Sequence, residues 1–383
     1  MTDKKREWDF GEYLRVGEPE KREKALAWSA AIGLQQVDGL TPSKYLYETA
    51  LRNIEGDISI DDAKKLIDSY YESKTDRVGD DENQEEADKV SSRIAKILSE
   101  KSFHFSPSYL MAIHGELFDG IYKFAGKIRH YDITKKEWVL NSDTVMYASA
   151  FEIKMALDYD FEQERNYSYN NLDTNQIITH LAYFVSRLWQ IHAFSEGNTR
   201  TTAVFTIKYL RSLGFHATNE IFANNSWYFR NALVRANYQN VQKKIYPQSE
   251  FLERFFRNML LGEANELKNR FLHINYTEKS GIGDEKSGIG DEKSGIGDEK
   301  SGIEKIVNAS RFNSPTKARI LKLVYALKFD EIFGASTIMG ILSCKATAAT
   351  AIIQRMKDLT IIEAVTGHGK GKYRLARNPI FFP

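Results

Sequence analysis

Apolar residues recur at three- and four-residue spacing along most of the first 275 positions, which predicts a mainly helical body. The clearest stripe runs from Thr174 to Ile191, with Ile177, Ile178, Leu181, Val185, Leu188 and Ile191 on one face. Asp61 to Tyr71 repeats the pattern behind an acidic start. Ser106-Pro107 supplies an N-cap and first-turn signal for a helix from Ser106 to Phe124. Another apolar helix is expected from Thr201 to Leu210. Two stretches break the period. Gly126 to Leu140 alternates and carries β-branched residues, predicting a short hairpin or extended segment. Asp76 to Glu86 is polar and acidic and reads as a loop.

The pattern then stops at a repeat, KSGIGDE, beginning at Lys279, Lys286 and Lys293 and truncated at Lys300. Two glycines and a single isoleucine per unit leave no apolar seam for a coiled coil, so this stretch reads as a flexible linker. Beyond it, Ser314-Pro315 opens a helix with Ile320, Leu323, Val324 and Leu327 inward. A short helix about Ser336 to Leu342 and a third from Ala346 to Lys357 follow, the third burying Ala348, Ile352 and Met356. Ile361 to Val365 and Lys372 to Leu375 read as strands joined by the turn Gly367 to Gly371. That order resembles a winged helix, a small α+β domain.

With 383 residues, two or three domains are expected. The boundaries are an N-terminal helical segment, 1–90; a body, 91–275; the linker, 276–304; and the winged-helix-like module, 305–383. The net charge of +1 argues against a uniformly basic coat, but it is a cancellation. Residues 305–383 hold 8 Lys and 5 Arg against 4 acidic residues, a net of +9, which leaves −8 for the rest. The third helix of the module presents Thr347, Thr350 and Gln354 on one face, suited to a major groove. Lys370, Lys372 and Arg374 follow where phosphates would lie, so DNA is one expected partner and protein the other. One cysteine, Cys344, fits a reducing compartment. The polar N-terminus and the lack of an apolar run of about 18 residues predict a soluble, cytoplasmic protein without a membrane span.

The candidate chemistry lies at residues 191–202, IHAFSEGNTRTT, between two helical stretches. A helix N-terminus with a glycine can cradle an anion. Arg200 offers a forked charge, Glu196 a hard oxygen for magnesium, and His192 a base near neutral pH. Together they suit phosphoryl or nucleotidyl transfer. His192 and Glu196 also fit half of a metal site, and Phe194 alone would be core. His180, one helix earlier, reads as a packing residue.

His192, Phe194, Glu196, Gly197, Asn198 and Arg200 match the Fic motif HxFx(D/E)GNxRxxR in register, and Phe124 to Arg129 (FAGKIR) with Asp132 to Lys135 resembles the lead into the Fic flap. The chain therefore resembles the Fic family over about residues 100–215. That resemblance implies a helical core with a short β-hairpin flap, and transfer of AMP from Mg·ATP to a Ser, Thr or Tyr hydroxyl of a target protein. It casts His192 as general base and Glu196 as magnesium ligand. Gly197, Asn198, Thr199 and Arg200 would be the ATP- and phosphate-binding residues. Thr134, Lys135, Lys136, Glu137, Trp138 and Val139 would form the flap that docks the target by strand addition.

Three positions depart from the family: Ala193 replaces the usual proline, Thr199 a small residue, and Ala203 the final arginine. Doc-type kinases of the same family also lack that arginine, but Gly197 and Thr199 favour AMP transfer over a kinase. Upstream, Glu55-Gly56 matches the end of the N-terminal inhibitory signature of regulated Fic proteins, with Leu51 where Ser or Thr is usual. Glu55 is thus a candidate inhibitor, and a glycine-capped helix end is the plainer reading. The rivals to an AMP transferase are a Doc-like kinase and an inactive scaffold serving a DNA-binding regulator. Self-modification and a homodimer are left open.

Overall fold

The computed structural model describes residues 10–74, 81–215, 220–277, 303, 306–307, 310, 312, 314–327, 331–342, 344–365 and 371–376. The linker repeats, Lys370 and most of the turn before Gly371 lie outside the described residues. The chain divides into two compact units, Met1–Gly290 and Asp291–Pro383.

The first unit is helical, in the order α1 (Gly11–Val16), α2 (Pro19–Gly33), α3 (Lys44–Glu55), α4 (Ile60–Ser73), α5 (Asp81–Ser99), α6 (Pro107–Phe118), α7 (Ile153–Asn166), α8 (Thr174–Ile191), α9 (Asn198–Ser212), α10 (Glu220–Asn237) and α11 (Glu250–Leu261). Local signals set the ends. Ser106 caps α6 by accepting from the Tyr109 amide, with Pro107 at the first position. Asp173 and Gln176 close a capping box on α8. The expected loop ending at Glu86 is instead helical from Asp81, since acidic side chains favour the positive end of a helix. The α6 helix stops at Phe118 rather than Phe124, because Gly120 takes φ +69° just beyond it. The expected hairpin reduces to one antiparallel bridge, Glu137↔Asp143, and Trp138–Leu140 forms a 3-10 turn.

Helix α9 explains the core. Its residues from Asn198 to Leu210 are all buried, polar ones included, so it threads the centre and takes neighbours on every side. Lys208 inside it donates to the carbonyls of Ile97 and Glu100 (2.8 Å each), capping the end of α5. Helices α5, α6 and α8 pack beside it. At Gly33 a Cβ would lie 2.4 Å from the Ala223 Cα, so only glycine permits α2 to meet α10 this closely. Among the described residues no single helix is long and apolar enough to cross a membrane.

The second unit holds α12 (Ser314–Ala326), α13 (Ala335–Leu342), α14 (Ala346–Asp358) and the strands β1 (Ile362–Ala364) and β2 (Tyr373–Leu375). The strands pair antiparallel, and Phe333 bridges to Tyr373 at the sheet edge. Its core includes Ile320, Leu323, Val324, Leu327, Ile352 and Met356. Ala349, rather than the expected Ala348, is the buried alanine of α14. Thr347, Thr350 and Gln354 are exposed, yet Thr350 donates to the Ala346 carbonyl and Gln354 to Asp358 (2.9 Å each). Arg374 pairs with Glu363 at 2.5 Å. Two of the groups expected to read DNA thus already have acidic partners.

Candidate active site

The α8 helix ends at His192 in a left-handed turn (φ 49°, ψ 56°), a conformation that usually goes to glycine. Arg129 holds this turn. Its Nε donates to the His192 carbonyl (2.8 Å), its Nη1 to Tyr131 (2.6 Å) and its Nη2 to Ala148 (2.5 Å), and its backbone amide bonds Ala193 (2.9 Å). One buried guanidinium thereby ties the motif turn to the segments on both sides of the flap.

The His192 ring is 4% exposed and lies against Tyr147 (centroids 4.2 Å) and edge-on to Trp189 (5.3 Å). Both ring nitrogens are among the buried polar atoms without a hydrogen-bond partner. Burial, then the positive charges of Lys135, Arg230 and Arg129, hold its pKa well below 6.5. A neutral imidazole with two uncommitted nitrogens is a base awaiting a proton.

The loop after His192 is fixed from within. Asn198 accepts from the Phe194 amide (2.9 Å) and donates to the Phe194 carbonyl (2.7 Å), so its side chain closes the loop rather than lining an anion cradle. Phe194 is core, as expected, and stacks on His114 (centroids 3.8 Å). His114 Nδ1 accepts from the Gly126 amide (2.8 Å), so its Nε2 carries the proton and donates to the Glu196 carbonyl (3.0 Å). Burial brings its pKa down to about 4, which keeps that tautomer neutral. His114 is a positioning residue that no motif spacing revealed, because it sits 82 residues before the loop it holds.

Gly197 (φ +74°) caps α9, and a Cβ there would lie 2.3 Å from the Phe118 ring. Gly197→Ala should lose about 1–2 kcal/mol from the backbone conformation alone, with the ring clash added, and a thermal melt reads it directly. Asn198, Thr199 and Arg200 form the first turn of α9, whose amides lack intrahelical acceptors and face an anion's charge favourably. The Thr199 hydroxyl accepts from Trp189 Nε1 (3.0 Å), which ties the first turn of α9 to α8.

Arg200 departs most from expectation. It is 1% exposed, and Nε lies 2.7 Å from Asp38, Nη2 2.7 Å from Glu86 and 3.4 Å from the Tyr122 hydroxyl, while Nη1 donates to Gln35 (3.1 Å). Burial opposes its charge, but Asp38, Tyr122 and Glu86 outweigh it and raise the pKa. The fork expected on phosphate is occupied by two carboxylates of the N-terminal region. Nothing local to the motif signalled this, since Asp38 follows α2 and Glu86 lies in α5.

Glu196 keeps its carboxylate near the surface, 2.9 Å from Lys135 of the flap segment. Elsewhere in the flap, Glu137 and Val139 are buried: Glu137 pairs with Arg230 (2.7 Å), and the Val139 carbonyl accepts from Ile274 (2.9 Å). Trp138 is half-buried against His273. Of the expected docking residues, Thr134 and Lys136 are exposed and Lys135 is half-buried, so Glu137, Trp138 and Val139 serve packing.

Glu55 ends α3 before Gly56, which takes φ +91°, and its carboxylate meets Lys21 (2.5 Å) and Tyr13. This is the glycine-capped helix end; the carboxylates that meet Arg200 are Asp38 and Glu86. His180 pairs with buried Glu164 (2.6 Å) and stacks on Tyr167, a packing role. Among the described residues no group of three or more His, Cys, Asp or Glu could hold a metal ion.

The Fic/DOC family model matches residues 104–210. A curated relative, the protein adenylyltransferase VbhT of Bartonella schoenbuchensis, is 30% identical over 112 residues, 29% of this chain and 22% of that protein. The chain thus spans about a fifth of that relative's length. Among solved structures, a Fic family protein from Desulfovibrio desulfuricans G20 is 13% identical over 97% of this chain and 93% of its own, at a TM-score of 0.41. The N-terminal FIC domain of Bep8 from Bartonella sp. 1-1C is 16% identical over 49% and 88%, at a TM-score of 0.37. The loop from His192 to Arg200 falls inside the span that the Fic/DOC family model matches, residues 104–210.

Proposed function

We propose that this chain transfers AMP from Mg·ATP to a hydroxyl of a target protein. The observation that carries the proposal is His192: buried, neutral, with both ring nitrogens uncommitted, at the mouth of a helix whose first-turn amides favour an anion. The 30% identical relative bears the name protein adenylyltransferase, which supports the same reading. In the reaction, the Ser, Thr or Tyr hydroxyl oxygen of the target bonds to the α-phosphorus, and the bond from that phosphorus to the oxygen bridging to the β-phosphate breaks. His192 accepts the hydroxyl proton, and pyrophosphate leaves. The amides of Asn198, Thr199 and Arg200 would orient the phosphates.

The residues fit magnesium in the form that accompanies a nucleotide. One partly exposed carboxylate, Glu196, suffices when phosphates and water supply the other ligands. The ion would offset phosphate charge there. Exposed Thr134 and Lys136 would meet the target beside the site.

Incubation with a cell lysate and ATP labelled at either phosphate tests the assignment. Label from the α-position on protein is expected; label from the γ-position alone would make it a Doc-like kinase, and neither would leave the scaffold reading. Glu55→Gly should give wild-type labelling, because Glu55 is held by Lys21 and Tyr13. A clear rise on that substitution would restore it as an inhibitor.

A further inference from the structure

A bound triphosphate concentrates several negative charges and requires cations beside it. The motif's usual suppliers are missing or engaged. Position 203 is alanine. The Arg200 fork is buried on Asp38, Glu86 and Gln35. Arg129 gives its three guanidinium nitrogens to backbone carbonyls, and Arg230 grips the buried Glu137 through both Nη atoms (2.7 and 3.2 Å). Among the described residues one cation remains whose partner belongs to the site itself: Lys135, 2.9 Å from the Glu196 carboxylate.

We infer that Lys135 is the phosphate-binding cation of this chain, filling the place that Arg200 and position 203 leave vacant. The inference rests on the proposed nucleotide-transfer reading. Its ammonium is already in the site, because the Glu196 carboxylate that it meets stands four residues after His192 in the same loop. It stands on a four-carbon stem between exposed Thr134 and Lys136, so it can re-aim without disturbing the core. The same Glu196 oxygen serves either Lys135 or a divalent cation. An ammonium released from the carboxylate is left beside the first turn of α9, where the phosphates are expected. Lysine as a point charge, with no fork, suits a terminal phosphate that must be let go as pyrophosphate.

Two titrations of the full chain, with opposite expected signs, test this. Calorimetry with Mg·ATP should show about tenfold weaker binding for Lys135→Ala, the loss of one charge-assisted hydrogen bond, and near wild-type binding for Lys135→Arg. Mn2+ alone, followed by its electron paramagnetic resonance signal, should bind Lys135→Ala more tightly than wild type, because the competing ammonium is gone. Equal Mg·ATP affinity in wild type and Lys135→Ala would overturn the inference and leave the proposed function standing. Unchanged or weaker Mn2+ binding would also overturn it, marking Lys135 as structural. Failure of the wild type to bind Mg·ATP would remove the parent reading as well.

Discussion

Arg200→Ala is expected to lower the melting temperature of the first unit by roughly 10 °C. The guanidinium is the sole cation contacting Asp38 and Glu86 in the ion pairs described, and it sits on the Phe118 ring at 4.8 Å. Removing one partner of a buried pair typically costs about 3–5 kcal/mol, because the charge left behind has no compensation. Side-chain exposures of 34% for Asp38 and 19% for Glu86 give both some access to water, which favours the lower end of that range. Arg200→Lys keeps a charge but not the fork, and should fall between the two. An arginine serving only as a phosphate clamp would behave otherwise, weakening nucleotide binding with the melting temperature unchanged; that result would contradict the buried-lock account.

His192→Ala is expected to reduce AMP transfer by about 10²–10⁴-fold, the range for loss of a positioned general base. Folding should survive, since the ring makes no hydrogen bond that its removal would orphan. The variant should even resist acid better. A histidine with a folded pKa below its unfolded 6.5 leaves stability intact above pH 6.5 and erodes it as pH falls from 6.5 toward the folded value. Alanine has no such penalty. Melting curves at pH 7.5 and pH 5 should therefore converge for the variant relative to wild type, and a larger acid loss in the variant would contradict a buried neutral imidazole.

The helical body was legible where amphipathic periodicity and caps agree. Thr174 to Ile191 matches α8 residue for residue, and Ser106-Pro107 marks the start of α6. The motif was legible because its matching residues are compressed into one loop, His192 to Arg200. Partners distant in sequence were not. Asp38 and Glu86 claim Arg200 across 162 and 114 positions, and His114 reaches Glu196 across 82. No spacing rule reports contacts made only when α5, α6 and α9 pack together. The flap pairs less than its alternation predicts, for a related reason. Alternation at Gly126 to Leu140 predicts a hairpin or extended segment, but buried Glu137 and Val139 have tertiary partners in Arg230 and Ile274, and tertiary contacts override local pattern.

The pH dependence of kcat/KM for α-labelled transfer tests whether His192 is the base, because that quantity reports the free enzyme's base. A buried imidazole flanked by Lys135, Arg230 and Arg129 stays unprotonated through pH 6.5, so the profile should remain flat there and fall only at lower pH. An acid limb centred at or above pH 6.5 would contradict the account of His192 as a neutral, desolvated base.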